Sequence, residues 1–255
     1  MGLGGTALAE VTPGNEADLE KIPGILAELG GAALVLGGGS NYIFADGELP
    51  LVIVSLDSRT FGFKPRYLGT VESGEGEKVL VRVGGAAKLP GVLRELAKMK
   101  LSGLEGLAGI PGTVGGAVAM NAGSFGCETL QCVHSVRIFT PEHGIVVVER
   151  NACEPVYRQC DFIVNGQILK SWFLVLDVVL ALSPDAVNPE ETIKNVLERK
   201  CAAQPVSAKS AGCVFKNPAP PYGSLKVYET VLGYGDQSIF VPKMDQFKEL
   251  SLIHI

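Results

Sequence analysis

"GIPGTVGGAVAMNAGSFG", Gly109–Gly126, holds six glycines and no charged side chain. The uncharged run is longer still, spanning the 22 residues from Gly106 to Cys127. A second glycine-rich stretch, "LGGGSNYIF", lies upstream at residues 36–44. Glycine turns let main-chain N–H groups approach an anion with no Cβ in the way. A diphosphate can be held by such donors alone, without Lys or Arg. Taken singly, either stretch could be no more than a tight turn. Two in one chain, one of them inside so long a neutral run, favour close approach to a large ligand.

Neither stretch has the spacing of a dinucleotide fingerprint. Tyr42 stands where the third glycine of G-x-G-x-x-G would fall after Gly37 and Gly39, and "PGTVGGA" also misses it. No G-x-x-x-x-G-K-[ST] occurs, which excludes a P-loop.

The rest of the composition is that of a soluble globular protein. Of 255 residues, 47 % are hydrophobic and 19 % charged, with a net charge of −5. An acidic chain with no basic stripe is a poor nucleic-acid binder. The six cysteines form no CxxC pair, and no His sits at ligand spacing from one, so no metal is expected. Cys127, Cys132, Cys153 and Cys201 are assigned to packing, and Cys160 to packing or the edge of a site. The start lacks a basic segment followed by an apolar run, so no signal peptide is expected. "SWFLVLDVVLALS" is too short to span a bilayer and carries Asp177, so it reads as a buried strand. These readings predict a cytoplasmic protein in a reducing compartment, monomeric and without membrane contact.

Hydrophobic periodicity predicts an α+β chain with no clean βαβ rhythm. A helix is expected over "NEADLEKIPGILAELGG", capped by Asn15, bent or broken at Pro23 and stopped by Gly30–Gly31. "AALVL" reads as a buried strand, and "LPLVIVSL" and "KVLVRVGG" as further strands. "KLPGVLRELAKMKLSG" predicts a helix with Leu89, Val92, Leu93 and Leu96 inside and Gly103 as its C-cap. "HSVRIFT" and "GIVVVER" predict a hairpin across "PEHG". "NPEETIKNVLERKCAAQP" predicts a helix capped by Asn188, with Pro189 first and Glu191 closing a capping box.

Four segments, in order, resemble a known family: "LVLGGGSNYIF", "GLEGLAGIPGTVGGAVAMNAGSFG", "YRQCDF" and "SAGCVFKNP". They resemble the UDP-N-acetylenolpyruvoylglucosamine reductases over about residues 3–218. The resemblance implies an FAD-binding fold of the vanillyl-alcohol-oxidase (PCMH) type. It implies two α+β lobes, residues 1–75 and 76–200, around the flavin, and a substrate-binding third domain from 201 to 255. It also implies NADPH as reductant and a small-molecule UDP-sugar as substrate, whose enolpyruvyl ether becomes a lactyl ether in peptidoglycan precursor synthesis.

By position, the resemblance assigns Gly38, Gly39, Ser40, Asn41, Gly109, Ile110, Pro111, Gly112, Gly115 and Gly116 to the FAD diphosphate. Asn121 and Gly123 would neighbour the flavin or substrate. Arg158 matches the arginine that stabilises the enol, and a guanidinium suits it because it grips a carboxylate by two parallel bonds. Cys213 stands where the family carries a proton donor, often a serine. An unperturbed thiol, with a pKa of about 8.5, is a stronger acid than a hydroxyl. Tyr157, Lys216 and Asn217 fall at substrate positions. Read alone, Arg158 could equally be a surface ion-pair partner, and Cys213 a core thiol.

The match fades after Pro218, and from about residue 224 the sequence has no family counterpart. The "HANF"-type segment and a late catalytic glutamate are missing, and Glu229 and Glu249 stand in unmatched context. The expectation is an incomplete third domain, with flavin binding preserved and turnover impaired. Two alternatives stay open: a flavin-binding remnant without turnover, and an FAD oxidase of the same superfold acting on another substrate. Acid precipitation would separate the second, because such oxidases often hold flavin covalently through His or Cys.

Overall fold

The computed structural model describes residues 4–74, 76–156, 158–184 and 188–203, which belong to one compact unit. Strand β1, Thr6–Val11, leads through a 3-10 turn, Glu16–Lys21, into helix α1, Ile22–Leu29. Asn15 accepts from Asp18 N at 3.2 Å, so it caps the 3-10 turn. Pro23 then sits in the first turn of α1, where a missing N–H costs nothing. The break expected near Pro23 is present: the segment is a 3-10 turn followed by α1, with the proline just inside the second. Gly30, at φ 69°, closes α1 in the left-handed region that glycine enters without penalty.

β2, Ala32–Val35, and β3, Glu48–Val54, complete a parallel sheet of order β1–β3–β2. β2 is half-exposed, not buried as expected, because it lies at the sheet's edge. The segment β1–α1–β2 is also a short parallel crossover that hydrophobic periodicity did not reveal.

A short helix α2, Ser58–Phe61, precedes the larger sheet. β4, Arg66–Ser73, and β5, Gly76–Gly84, form a hairpin, followed by α3, Leu89–Lys98, and β6, Leu101–Ser102. The boundary expected at residue 75 would separate β4 from β5, two paired strands of one sheet. Leu89, Val92, Leu93 and Leu96 are buried on the inner face of α3. α3 ends at Met99 with Lys100 at φ 58°, so Gly103 is not its cap. Gly103 is instead required at φ 134°, where a Cβ would stand 2.7 Å from Cys132 Sγ.

Next come α4, Val114–Ala119, and two short strands, β7, Gly123–Ser124, and β8, Cys127–Glu128. The expected "PEHG" hairpin follows as β9, Val133–Thr140, and β10, Gly144–Glu149. A second hairpin is made by β11, Cys153–Val156, and β12, Gln159–Val164, with β13, Gln167–Ile168, beside it. β14, Leu174–Pro184, and α5, Pro189–Ala203, end the described chain. Asn188 caps α5, its Oδ1 accepting from Glu190 N at 3.2 Å.

β14 is central in the antiparallel order β10–β9–β14–β5–β4. Covered on both faces, it reads as a near-continuous apolar run without alternation. Its one charged side chain, Asp177, is 3 % exposed. It accepts from Arg82 Nε at 2.8 Å and Arg137 Nη1 at 2.9 Å. Arg137 also donates to Glu16 at 2.8 Å. Burial opposes the Arg137 charge, but bonds to Glu16 and Asp177 outweigh it and raise its pKa. One apolar cluster, including Leu19, Ile22, Val54, Phe61, Phe139 and Leu174, joins the small sheet to the large one.

No helix among the described residues is long and apolar enough to cross a membrane. Their five cysteines are free thiols. Cys132, Cys153 and Cys160 are buried and Cys127 is half-buried, but Cys201 is exposed on α5 and does not pack as expected.

Candidate active site

The two glycine-rich stretches meet. The first, Gly37–Asn41, leaves β2 and is pinned at its root by Leu36 N donating to Val54 O at 2.9 Å. The second, Gly109–Thr113, runs into α4. It is held by Leu89 N donating to Gly112 O at 3.0 Å and Val114 N to Ala87 O at 2.9 Å. Gly115 N donates to Gly85 O at 2.8 Å, fixing the first turn of α4. A Cβ on Gly38 would stand 2.8 Å from Gly112 Cα, and one on Gly37 2.5 Å from Thr113 Oγ1. Ser40 Oγ donates to Pro111 O at 3.3 Å, and Asn41 Nδ2 to Met120 Sδ at 3.6 Å.

The contact leaves main-chain donors unused. Among the described residues, no hydrogen bond engages the N–H groups of Gly38, Gly39, Ser40, Asn41 or Gly112. Gly38, Ser40, Asn41, Gly109, Pro111 and Gly116 are exposed, and Gly39, Ile110 and Gly112 partly so. Gly39 and Gly112 take φ of 65° and 110°. Gly115 is required for another reason: a Cβ there would stand 3.1 Å from Gly85 O and from Val175 Cβ, so α4 could not lie on β14. Gly116 N donates to Thr113 Oγ1 at 3.2 Å, which caps α4. The cradle is thus a set of free amides that side chains would fill, which fits a bound diphosphate.

Beyond α4 the neutral run turns towards Arg158. Asn121, 2 % exposed and at φ 38°, donates through Nδ2 to Glu128 Oε2 at 2.8 Å and accepts from Leu130 N at 3.2 Å. Its side chain is therefore spent inside the protein. Gly123 O accepts from Arg158 Nη1 at 2.8 Å. Arg158 lies in the two-residue connection between β11 and β12, at φ 60°. Tyr157, Cys213, Lys216 and Asn217 lie outside the described residues.

Several residues here went unremarked in the sequence. Thr113 and Glu128 were visible only as the cap before an apolar helix and the first charge after the neutral run. Lys200, near the end of α5, donates to Ala108 O, and its chain covers Gly109. Burial lowers its pKa. Arg199 lies over the Phe125 ring at 4.7 Å and Lys200 at 5.5 Å, so α5 is fastened to both ends of the neutral run. Burial, then Glu105, push the Cys127 thiol up to about 11. A hydrogen bond with Cys153, then burial, raise Cys160; the same bond lowers Cys153.

Two glycine turns with free amides, set on paired α+β sheets, suit an FAD-binding fold. Residues 7–149 match the family described as FAD binding domain. The class is therefore that of FAD-dependent oxidoreductases. UDP-N-acetylenolpyruvoylglucosamine reductase of Nitratidesulfovibrio vulgaris is 49 % identical over 220 residues, covering 86 % of this chain and 70 % of that protein. The reductase of Oleidesulfovibrio alaskensis is 44 % identical, covering 85 % and 70 %. The crystal structure of the enzyme from Thermus caldophilus superposes with a TM-score of 0.63 at 29 % identity, covering 88 % of this chain and 73 % of that one. The chain belongs to the UDP-N-acetylenolpyruvoylglucosamine reductase family.

Proposed function

We propose that the protein uses NADPH to reduce UDP-N-acetylglucosamine enolpyruvate to UDP-N-acetylmuramate, a step of peptidoglycan precursor synthesis in the cytoplasm. The observation that carries the reading is Arg158, aimed at Gly123 O on the far side of the same neutral run that forms the cradle. FAD, when bound, accepts and delivers hydride. The amides of Gly38–Asn41 and of Gly112 hold its diphosphate. Gly109, Ile110, Pro111, Gly115 and Gly116 keep that surface close and free of side chains. Arg158 holds the substrate carboxylate and stabilises the negative charge that grows beside it. By resemblance, Cys213 delivers a proton to the neighbouring carbon, and Tyr157, Lys216 and Asn217 contact the sugar nucleotide. The protein works as a monomer.

An absorbance experiment tests this. Purified protein should be yellow, bleach with NADPH under anaerobic conditions, and recover its colour when the enolpyruvyl sugar nucleotide is added. Bleached protein that recovers with oxygen but not with that substrate would contradict the reading.

A further inference from the structure

Arg158 is held in an uncommon place. Only five non-glycine residues among those described take positive φ, and three of them, Asn121, Phe125 and Arg158, belong to this corner. Such backbone is strained and persists where the surroundings over-determine it. The surroundings here converge on Gly123. A Cβ on that residue would stand 3.0 Å from Glu128 Cγ, 3.1 Å from Cys127 O and 3.3 Å from Arg158 Nη1. Gly123 and Glu128 also pair directly in the β7–β8 ladder.

Glu128 ties this corner together. Its carboxylate accepts from Asn121 Nδ2 at 2.8 Å, on the other side of Gly123 along the chain. The same side chain accepts from the main chain at Gln131, whose own side chain returns a bond to Glu128 N at 3.0 Å. The next residue, Thr129, bonds Ala122 O through both its N–H, at 2.9 Å, and its hydroxyl, at 2.8 Å. Residues 121–123 are thus clamped to 128–131, and the carbonyl that receives the guanidinium has one position.

We infer that Glu128 is the positioning residue for Arg158: through Asn121 it fixes the Gly123 carbonyl, and that carbonyl sets the direction of the guanidinium. Its carboxylate never needs to touch substrate. The inference rests on the proposed role of Arg158, and it extends the functional set to a residue that acts one bond further back. A misplacement of about 1 Å at a reacting group can cost about 100-fold in rate.

The test reads Arg158 itself. In 15N NMR spectra of the full chain, its side-chain N–H signal is assigned by its loss in Arg158→Lys. That signal should be dispersed in the wild type and in Glu128→Gln, which keeps an oxygen for Asn121. It should move away from that position in Glu128→Ala. If Glu128→Ala does not fold, Glu128→Asp, which keeps the charge but shortens the reach, should shift the signal. An unmoved Arg158 signal in the folded alanine or aspartate variant would overturn the inference. In FAD-loaded protein, Glu128→Ala should slow reoxidation by the enolpyruvyl substrate at least about tenfold, with flavin content and NADPH reduction unchanged. Should Arg158→Ala leave reoxidation untouched, the proposed role of Arg158 fails, while the NMR signal still decides the link to Glu128.

Discussion

Gly38 and Gly112 face each other backbone to backbone: a Cβ on Gly38 would stand 2.8 Å from Gly112 Cα. Seventy-four positions apart, they bring two neutral turns into one surface of free amides. Gly38→Ala should therefore separate the turns. The expected result is loss of FAD affinity by at least about tenfold, about 1.4 kcal/mol. Gly91→Ala is the control. Gly91 lies in α3 with nothing within 4 Å of an added Cβ, so alanine should stabilise by about 0.5–1 kcal/mol and leave FAD binding intact. Fluorescence titration with FAD and thermal melts check both.

Arg158→Gly separates chemistry from stability. Glycine relieves the positive φ, worth about 1–2 kcal/mol, against about 1 kcal/mol for each guanidinium hydrogen bond lost, that to Gly123 O included. The melting temperature should hardly change. Reoxidation by the enolpyruvyl substrate should fall about 100-fold or more, with NADPH reduction unaltered. Stopped-flow absorbance on each half-reaction checks this.

Asp177 is the buried charge of the central strand. Asp177→Asn would leave Arg82 and Arg137 facing a neutral group and should destabilise by about 3 kcal/mol. Glu16, more exposed, contributes only one arm of Arg137, so Glu16→Gln should cost much less. Urea denaturation measures the difference.

Cys127 gives a pH signature. Its thiol donates to Gly103 O at 3.2 Å, and its pKa rises from 9.0 to about 11 in the fold. The unfolded chain therefore loses this proton first. The stability contributed by Cys127 is full below pH 9 and declines as pH rises towards 11. The wild type's margin over Cys127→Ala should shrink across that window in melts from pH 7.5 to 10.5. At pH 8, iodoacetamide should modify exposed Cys201 and spare Cys127.

The parts of the molecule legible in the sequence are those whose signal is local. Gly30 as a stop, Leu89 to Leu96 as an inner stripe, the hairpin across "PEHG" and the long apolar β14 each declare themselves within a dozen residues. The cradle was legible because glycine marks where a side chain cannot be. β11 and β12 were not: "CEPV" carries a proline and no alternation, and no turn signal marks where the chain reverses before Gln159. Glu128 and Lys200 were invisible for a different reason. Their partners, Asn121 and Ala108, are chosen by tertiary approach, and neither residue type at its position announces a bond. Asn121 was legible as part of the site, but its side chain turned out to serve the scaffold.

The central claim is that main-chain amides of the two turns hold the FAD diphosphate. Hydrogen–deuterium exchange of apo and FAD-loaded protein tests it most directly. The amides of Gly38, Gly39, Ser40, Asn41 and Gly112 should exchange at least about tenfold more slowly with FAD bound. Equal exchange at all five in protein shown to carry a full complement of FAD would contradict it.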